Sequence, residues 1–253
     1  MTGVFRETAK RSVTVDSLSE KFPVSRMTIS RDLEKLESEG HLKRVRGGAV
    51  ALSHIVTSPR ASIASKTLTE EQKHIGREAG KRVSDGDFII IESGSTCLAV
   101  VENLIEKDHL KIVTASPMIA VRLAAITEQF NKNFEIVLSG GILNVYKHFL
   151  LGPFAMQLFE NIRVDIAFLS VTAIDYEAGV TADDVNESAV SKLILEKCSK
   201  KNIGLITSSK FNQISFVKVA DITVFDEIIT DSNLDFETVE KFESKNITMI
   251  LYW

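Results

Sequence analysis

The chain has 253 residues, 44% of them hydrophobic and 25% charged, with a formal net charge of −4. This length accommodates about two domains; apolar runs of only a handful of residues, and a start without a cationic-then-apolar layout, argue against a membrane span and a signal peptide. Cys97 and Cys198 lie far apart with no Cys or His at zinc spacing, which argues against a disulfide framework and a structural metal and points to a cytoplasmic protein without a cofactor.

In chain order, "VDSLSEKFPVS" predicts a short helix from Asp16 to Phe22, with Leu18 and Phe22 at i, i+4. Pro23 and Val24 break it, and Ser25 is a good N-cap for a second helix, because its hydroxyl accepts a backbone N–H of the first turn. In that helix Ile29, Leu33 and Leu36 share one face, Met27, Arg31 and Ser38 point the opposite way, and Thr28, Ser30 and Lys35 lie at the sides. Gly40 is a stop. His41 to Val50 then carries Lys43, Arg44 and Arg46 with no acid, and a Gly47-Gly48 turn makes it a short basic hairpin.

Two short helices joined by a turn of this kind form a helix-turn-helix, whose second helix presents its exposed N-terminal residues to a major groove. Arg26 and Arg31 suit guanine edges or phosphates, Thr28 and Ser30 suit either, and Lys43, Arg44 and Arg46 suit the backbone alongside. Ser25, Met27 and Lys35 complete the candidate DNA-facing set. The charge agrees: residues 1–66 hold 12 Lys+Arg against 7 Asp+Glu, and the remainder holds 18 against 27. A basic leading part on an acidic chain is expected when one domain alone meets double-stranded DNA. Binding to RNA is disfavoured, because Phe5 and Phe22 are the only Phe, Tyr or Trp residues among the first 66 and offer no stacking platform.

The organisation is read as a winged helix-turn-helix over 1–52, a linker over 53–68 rich in Ser, Thr and Pro, and an α/β domain over 69–253. From "EEQKHIGREAGKRV" onward, apolar runs alternate with helical stretches: 88–91, a helix near 96–107, 110–113, a helix near 117–127, 134–138, "VDIAFLSV" at 164–171, a helix near 186–200, "IGLIT" at 203–207, "DITVFDEIIT" at 221–230 and "ITMILYW". Continuous apolar strands separated by helices imply a mostly parallel sheet covered on both faces.

Ligands of such sheets bind where strands end and helices begin. Five exits are polar: "ESGST" (Glu92 to Thr96), "TASP" (Thr114 to Pro117), "SGG" (Ser139 to Gly141), "TAID" (Thr172 to Asp175) and "TSSK" (Thr207 to Lys210). The first suits a phosphate, since amides of a Gly/Ser/Thr turn at a helix start point toward an anion and Ser93, Ser95 and Thr96 add hydroxyl donors. Each exit alone reads as an ordinary capped connection; the agreement of five gives a rim suited to a phosphorylated, hydroxyl-rich metabolite. Cys97 reads as a small buried apolar group.

"VSRMTISRDLEKLESEGHLKRVRGGAV" resembles the signature of the DeoR family of bacterial transcriptional regulators, and "ESGST", "SGGIL", "AIDYEAGVT", "NESA" and "SSKF" recur in that family's order. The resemblance implies a winged helix-turn-helix joined to a mostly parallel α/β effector domain similar to ribose-5-phosphate isomerase. It implies a repressor of a carbohydrate catabolic operon that leaves DNA when a phosphorylated sugar or polyol binds, acting as a homodimer or homotetramer. It maps the recognition helix to Ser25–Glu39, the wing to about His41–Val50, and the effector pocket to Ser93, Gly94, Ser95, Thr96, Thr114, Ser116, Gly140 and Gly141, with Asp175, Glu187 and Lys210 toward the sugar or phosphate and Lys192 on the same charged helix as Glu187.

This chain departs from the family in four places. Only Met1 to about Arg11 precede the helix pair, so the first helix is short or the start is clipped; Ser30 stands where Arg is usual, Glu92 where Asp is usual, and Thr207 where Asp is usual. The competing reading is a sugar-phosphate isomerase-like enzyme using Asp175, Glu187 and Lys192 for proton transfer. Against it, the chain shows no nucleophile with an adjacent base, no metal cluster and no P-loop, and an enzyme of that kind has no use for a basic winged helix.

Overall fold

The computed structural model describes residues 12–22, 24–38, 42–45, 48–51 and 68–252. The chain divides into two units, Met1–Pro59 and Arg60–Trp253. The expected first helix over 1–11, Gly40, His41, Arg46, Gly47 and the linker as far as residue 67 lie outside the described residues, as do the side chains of Lys43 and Arg44.

In the first unit, α1 (Val15–Lys21) starts at Thr14, where the Thr14 side chain accepts the Ser17 amide and the Ser17 hydroxyl accepts the Thr14 amide, a reciprocal cap. It begins and ends one residue before the range expected from the sequence. Helix α2 (Arg26–Ser38) is capped as predicted, the Ser25 hydroxyl accepting the Thr28 amide at 3.2 Å. Ile29 and Leu33 are buried against Leu18 and Ala49, with Leu36 packed beside them. Strands β1 (Ser12–Thr14), β2 (Leu42–Val45) and β3 (Gly48–Ala51) form an antiparallel sheet in the order β1-β3-β2. Gly48 pairs with Val45 and Thr14 and so belongs to β3, not to the expected Gly47-Gly48 turn; β1, only three residues long, is too short to show an alternation.

The second unit opens with α3 (Glu70–Gly80), capped reciprocally by Thr69 and Gln72. Next come β4 (Phe88–Ile91), α4 (Ser95–Val101), β5 (Lys111–Thr114), α5 (Pro117–Gln129), β6 (Glu135–Leu138), the hairpin of β7 (Ile142–Asn144) and β8 (Phe149–Leu151), α6 (Pro153–Asn161) and β9 (Val164–Leu169). After them run β10 (Ala173–Asp175), β11 (Gly179–Ala182), α7 (Val185–Leu193), β12 (Ser199–Leu205), β13 (Val217–Ala220), β14 (Glu227–Asp231), α8 (Phe236–Glu243) and β15 (Thr248–Tyr252). Seven strands form one parallel sheet in the order β15-β14-β12-β9-β4-β5-β6. Its faces carry separate cores: Ile89 and Ile91 of β4 join Ile75, Val100 and Leu123 on one side, and Ile90 joins Phe149, Phe159 and Val190 on the other. A strand buried on both faces needs an unbroken apolar run, which "FIII" supplies.

Several expected boundaries move. The helix near 96–107 stops at Val101, where Asn103 turns its side-chain amide back to the Ala99 carbonyl. The helix near 186–200 ends at Leu193 in a π-turn over Ile194–Cys198. The 221–230 segment is a strand only from Glu227, because Ile222–Val224 forms a 3-10 turn whose last carbonyl accepts the Asn202 side chain. "TAID" is largely a strand of a second sheet, β10-β11-β13, so the exit of β9 is Ser170 to Thr172.

Candidate functional site

From β4 the chain runs outward to β5 and β6 and reaches β9, on the other side of β4, only afterwards. Strand order therefore reverses between β4 and β9, and helices leaving such a point diverge to open a crevice at the carboxyl ends of the strands. The Ser170 hydroxyl donates across it to the Ser93 carbonyl at 2.9 Å. Residue 94 has φ of 92°, and a Cβ there would lie 2.5 Å from the Ser170 Oγ, so only glycine fits. The turn enters α4, whose first amides have no acceptor within the helix. Ser93 and Thr96 are buried, Gly94 and Ser95 half-buried, and the Ser95 Oγ accepts the Gln72 side-chain amide from α3 at 2.7 Å.

Charged groups from four segments meet here. Lys147, in the turn of the β7–β8 hairpin, hydrogen-bonds to both Asp183, between β11 and α7, and Glu187, in the first turn of α7. Glu92, at the end of β4, is 3% exposed, and its Oε1 has no hydrogen-bond partner. Burial pushes the Glu92 carboxyl up to about 8, the Glu187 charge adding to the rise and the Ser191 hydroxyl and Lys147 ammonium opposing it. Burial also raises Glu187, against the pull of Lys147. The same burial works to lower the Lys147 ammonium, yet Glu187 and Asp183 together hold it above its ordinary value. A small pocket adjoins this cluster, lined in part by Ser170, Thr172, Thr181, Glu187 and Ser191.

The remaining candidates divide. The Thr114 hydroxyl donates to the Glu92 carbonyl and accepts the Ser116 amide, both at 3.0 Å, and Ser116 caps α5; these buried groups hold the β4 and β5 exits together. Gly140 and Gly141 have φ of 72° and 112°, and a Cβ on Gly141 would meet the Leu151 carbonyl oxygen at 2.4 Å, so they start the hairpin that carries Lys147. Asp175 sits at the far tip of the β10–β11 hairpin, where its Oδ1 accepts the amides of Glu177 and Ala178. Lys192 is more than half exposed and pairs with Glu196 in the π-turn that follows α7. Asp175, Glu187 and Lys192 are thus not assembled as an acid–base set. Lys210 ends the 3-10 turn over Ser208–Lys210, beyond β12. Cys97 is fully buried, and burial pushes its thiol up to about 12 despite its place at a helix start.

In the first unit, Ser25, Arg26, Met27, Thr28, Arg31 and Lys35 are exposed and Ser30 is half-buried, on faces that turn away from the Ile29–Leu33 stripe. The Ser25 and Thr28 hydroxyls share a hydrogen bond of 2.9 Å, and Arg26 pairs with Asp16 of α1 at 2.9 Å. Met27 is 75% exposed, and Arg31 lies one turn farther along the same face.

Residues 8–54 match the DeoR-like helix-turn-helix domain and residues 67–232 the DeoR C terminal sensor domain. The chain belongs to the DeoR family. The HTH-type transcriptional regulator GlpR of Haloferax volcanii is 31% identical over 94% of this chain and 90% of its own. The glycerol-3-phosphate regulon repressor of Escherichia coli is 29% identical over 87% of this chain and 84% of its own. Both are named as regulators. Among solved structures, ribose 5 phosphate isomerase A from Neisseria gonorrhoeae aligns with 57% of this chain and 54% of its own at 16% identity, with a TM-score of 0.40. Among the described residues of this DeoR-family chain, no helix is long and apolar enough to cross a membrane.

Sequence reasoning misses Lys147, Asp183, Gln72 and Ser191 of the DeoR sensor domain. The last has a readable signal, since Ser191 stands four residues after Glu187 on one helix face. Lys147 has little beyond being a cation a few residues after two glycines.

Proposed function

We propose that this DeoR-family protein is a transcriptional repressor of a carbohydrate catabolic operon. The exposed face of α2 and the basic hairpin after it bind double-stranded operator DNA, and a small phosphorylated sugar or polyol in the sensor domain releases it, the protein acting as a homodimer or homotetramer. The observation that carries the reading is the pairing, in one chain, of a capped helix presenting Met27, Thr28 and Arg31 away from its buried stripe with a polar, partly unsatisfied crevice at the strand reversal. The relative named as a glycerol-3-phosphate regulon repressor supports the phosphorylated class of effector.

Two measurements test it. A thermal-shift screen of sugar and polyol phosphates, glycerol 3-phosphate among them, should find a compound that raises the melting temperature, since a ligand of the folded state stabilises by mass action. The same compound should release the protein from a DNA fragment spanning its own promoter, in a fluorescence anisotropy titration. Release by no phosphorylated compound in the panel, or conversion of one to an isomeric product, would remove the reading.

A further inference from the structure

Lys147 is a cation set among Glu92, Asp183 and Glu187. Lys147, Asp183 and Glu187 are each about one-fifth exposed. The backbone beneath Lys147 is held independently of its ammonium, because the Asn144 side-chain oxygen accepts the amides of Tyr146 and Lys147 at 3.1 and 3.3 Å. A lysine is a compact point charge on a flexible stem, so its head can change partners while the hairpin stays in place. Both carboxylates hold the ammonium, so an anion entering the crevice has to draw it away from them.

We propose that Lys147 is the residue that holds the anionic group of the effector, and that Asp183 and Glu187 are resting partners with which the anion competes. This rests on the reading of the crevice as the effector site, and it gives Glu187 a role opposite in sign to that of a direct phosphate ligand. Breaking the Lys147–Glu187 pair opposes anion binding, so removing the Glu187 charge releases the lysine and favours the anion.

The test uses the full chain with inorganic phosphate as the probe, at constant ionic strength, by isothermal titration. Lys147→Met should bind phosphate about tenfold more weakly than the unmodified protein, and Glu187→Gln should bind it severalfold more tightly. The Glu187→Gln gain should shrink in the Lys147→Met background to the smaller effect of removing one like charge, the difference being the coupling that a double-mutant cycle isolates. A variant that fails to fold cannot bind more tightly, so the Glu187→Gln arm decides even where Lys147→Met yields no folded protein. Phosphate binding undiminished in Lys147→Met, a Glu187→Gln protein no tighter than the unmodified one, or a gain of undiminished size in the double variant would overturn the inference alone. An unmodified protein indifferent to phosphate would overturn the reading of the crevice as an anion site, and the inference with it.

Discussion

Glu92 illustrates how one buried carboxyl sets a pH dependence. Its folded-state value of about 8 lies above its ordinary 4.5, so between these values the folded chain keeps a proton that the unfolded chain has released. Stability then falls as pH rises: the contribution is fully present below about 4.5 and is lost progressively up to about 8, with a slope near 1.4 kcal/mol per pH unit. Glu92→Gln keeps the shape and removes the titration. Urea unfolding at pH 5, 6 and 7 should therefore show the unmodified protein losing ground steadily to the variant, while a constant difference would mean that Glu92 is ionised in the folded state. Gly94 is constrained by space and not by charge. Gly94→Ala puts a methyl 2.5 Å from the Ser170 Oγ at a positive φ, and it should destabilise the sensor domain by about 1–3 kcal/mol in the same assay.

At the scale of elements, α2 separates a structural residue from a contacting one. Ser25→Ala removes the acceptor of the Thr28 amide and should reduce the stability of the first unit by about 1 kcal/mol. Arg31→Ala should leave that stability unchanged and weaken operator binding by about 1–3 kcal/mol in anisotropy titrations; equal DNA affinity with and without Arg31 would put the recognition surface elsewhere. Helix α2, β4 and the polar turn after Ile91 are legible in the sequence because each is long or pure enough to display its period, and because Ser25 and Gly94 have local reasons to stand where they do. The β7–β8 hairpin and the β10-β11-β13 sheet are not, since all of their strands have three or four residues, too few for an alternation to show. The partners of Lys147 lie 36 and 40 residues farther along, and no local pattern encodes a pairing over that distance. Asp175 illustrates a further limit: the sequence places it at an apparent strand exit, and the intra-turn role in which its Oδ1 accepts the amides of Glu177 and Ala178 is not visible there.

For the whole molecule, the proposed function places two sites on one chain, and thermodynamics ties them together whatever the structural route between them. If an effector lowers operator affinity by some factor, saturating operator must lower effector affinity by the same factor. That coupling is typically about 1–3 kcal/mol, or roughly 5–150-fold. The two sites differ in kind, which supplies an internal control. Cations of the leading segment meeting phosphates of DNA release counterions, so operator affinity should fall steeply and linearly in log–log form as salt rises. The proposed effector site is instead a largely buried cluster of few charges, screened less by salt. Effector affinity measured by titration with and without saturating operator, and operator affinity measured with and without saturating effector, should yield one common factor at each salt concentration. The salt slope should appear in the operator measurements with little change in those of the free protein with effector. Two unequal factors under matched conditions would show that a further state, such as a change in assembly, takes part in the cycle. A common factor of one would show that the sensor domain binds its ligand without informing the DNA-binding unit, and the repressor mechanism would fall while both sites stood.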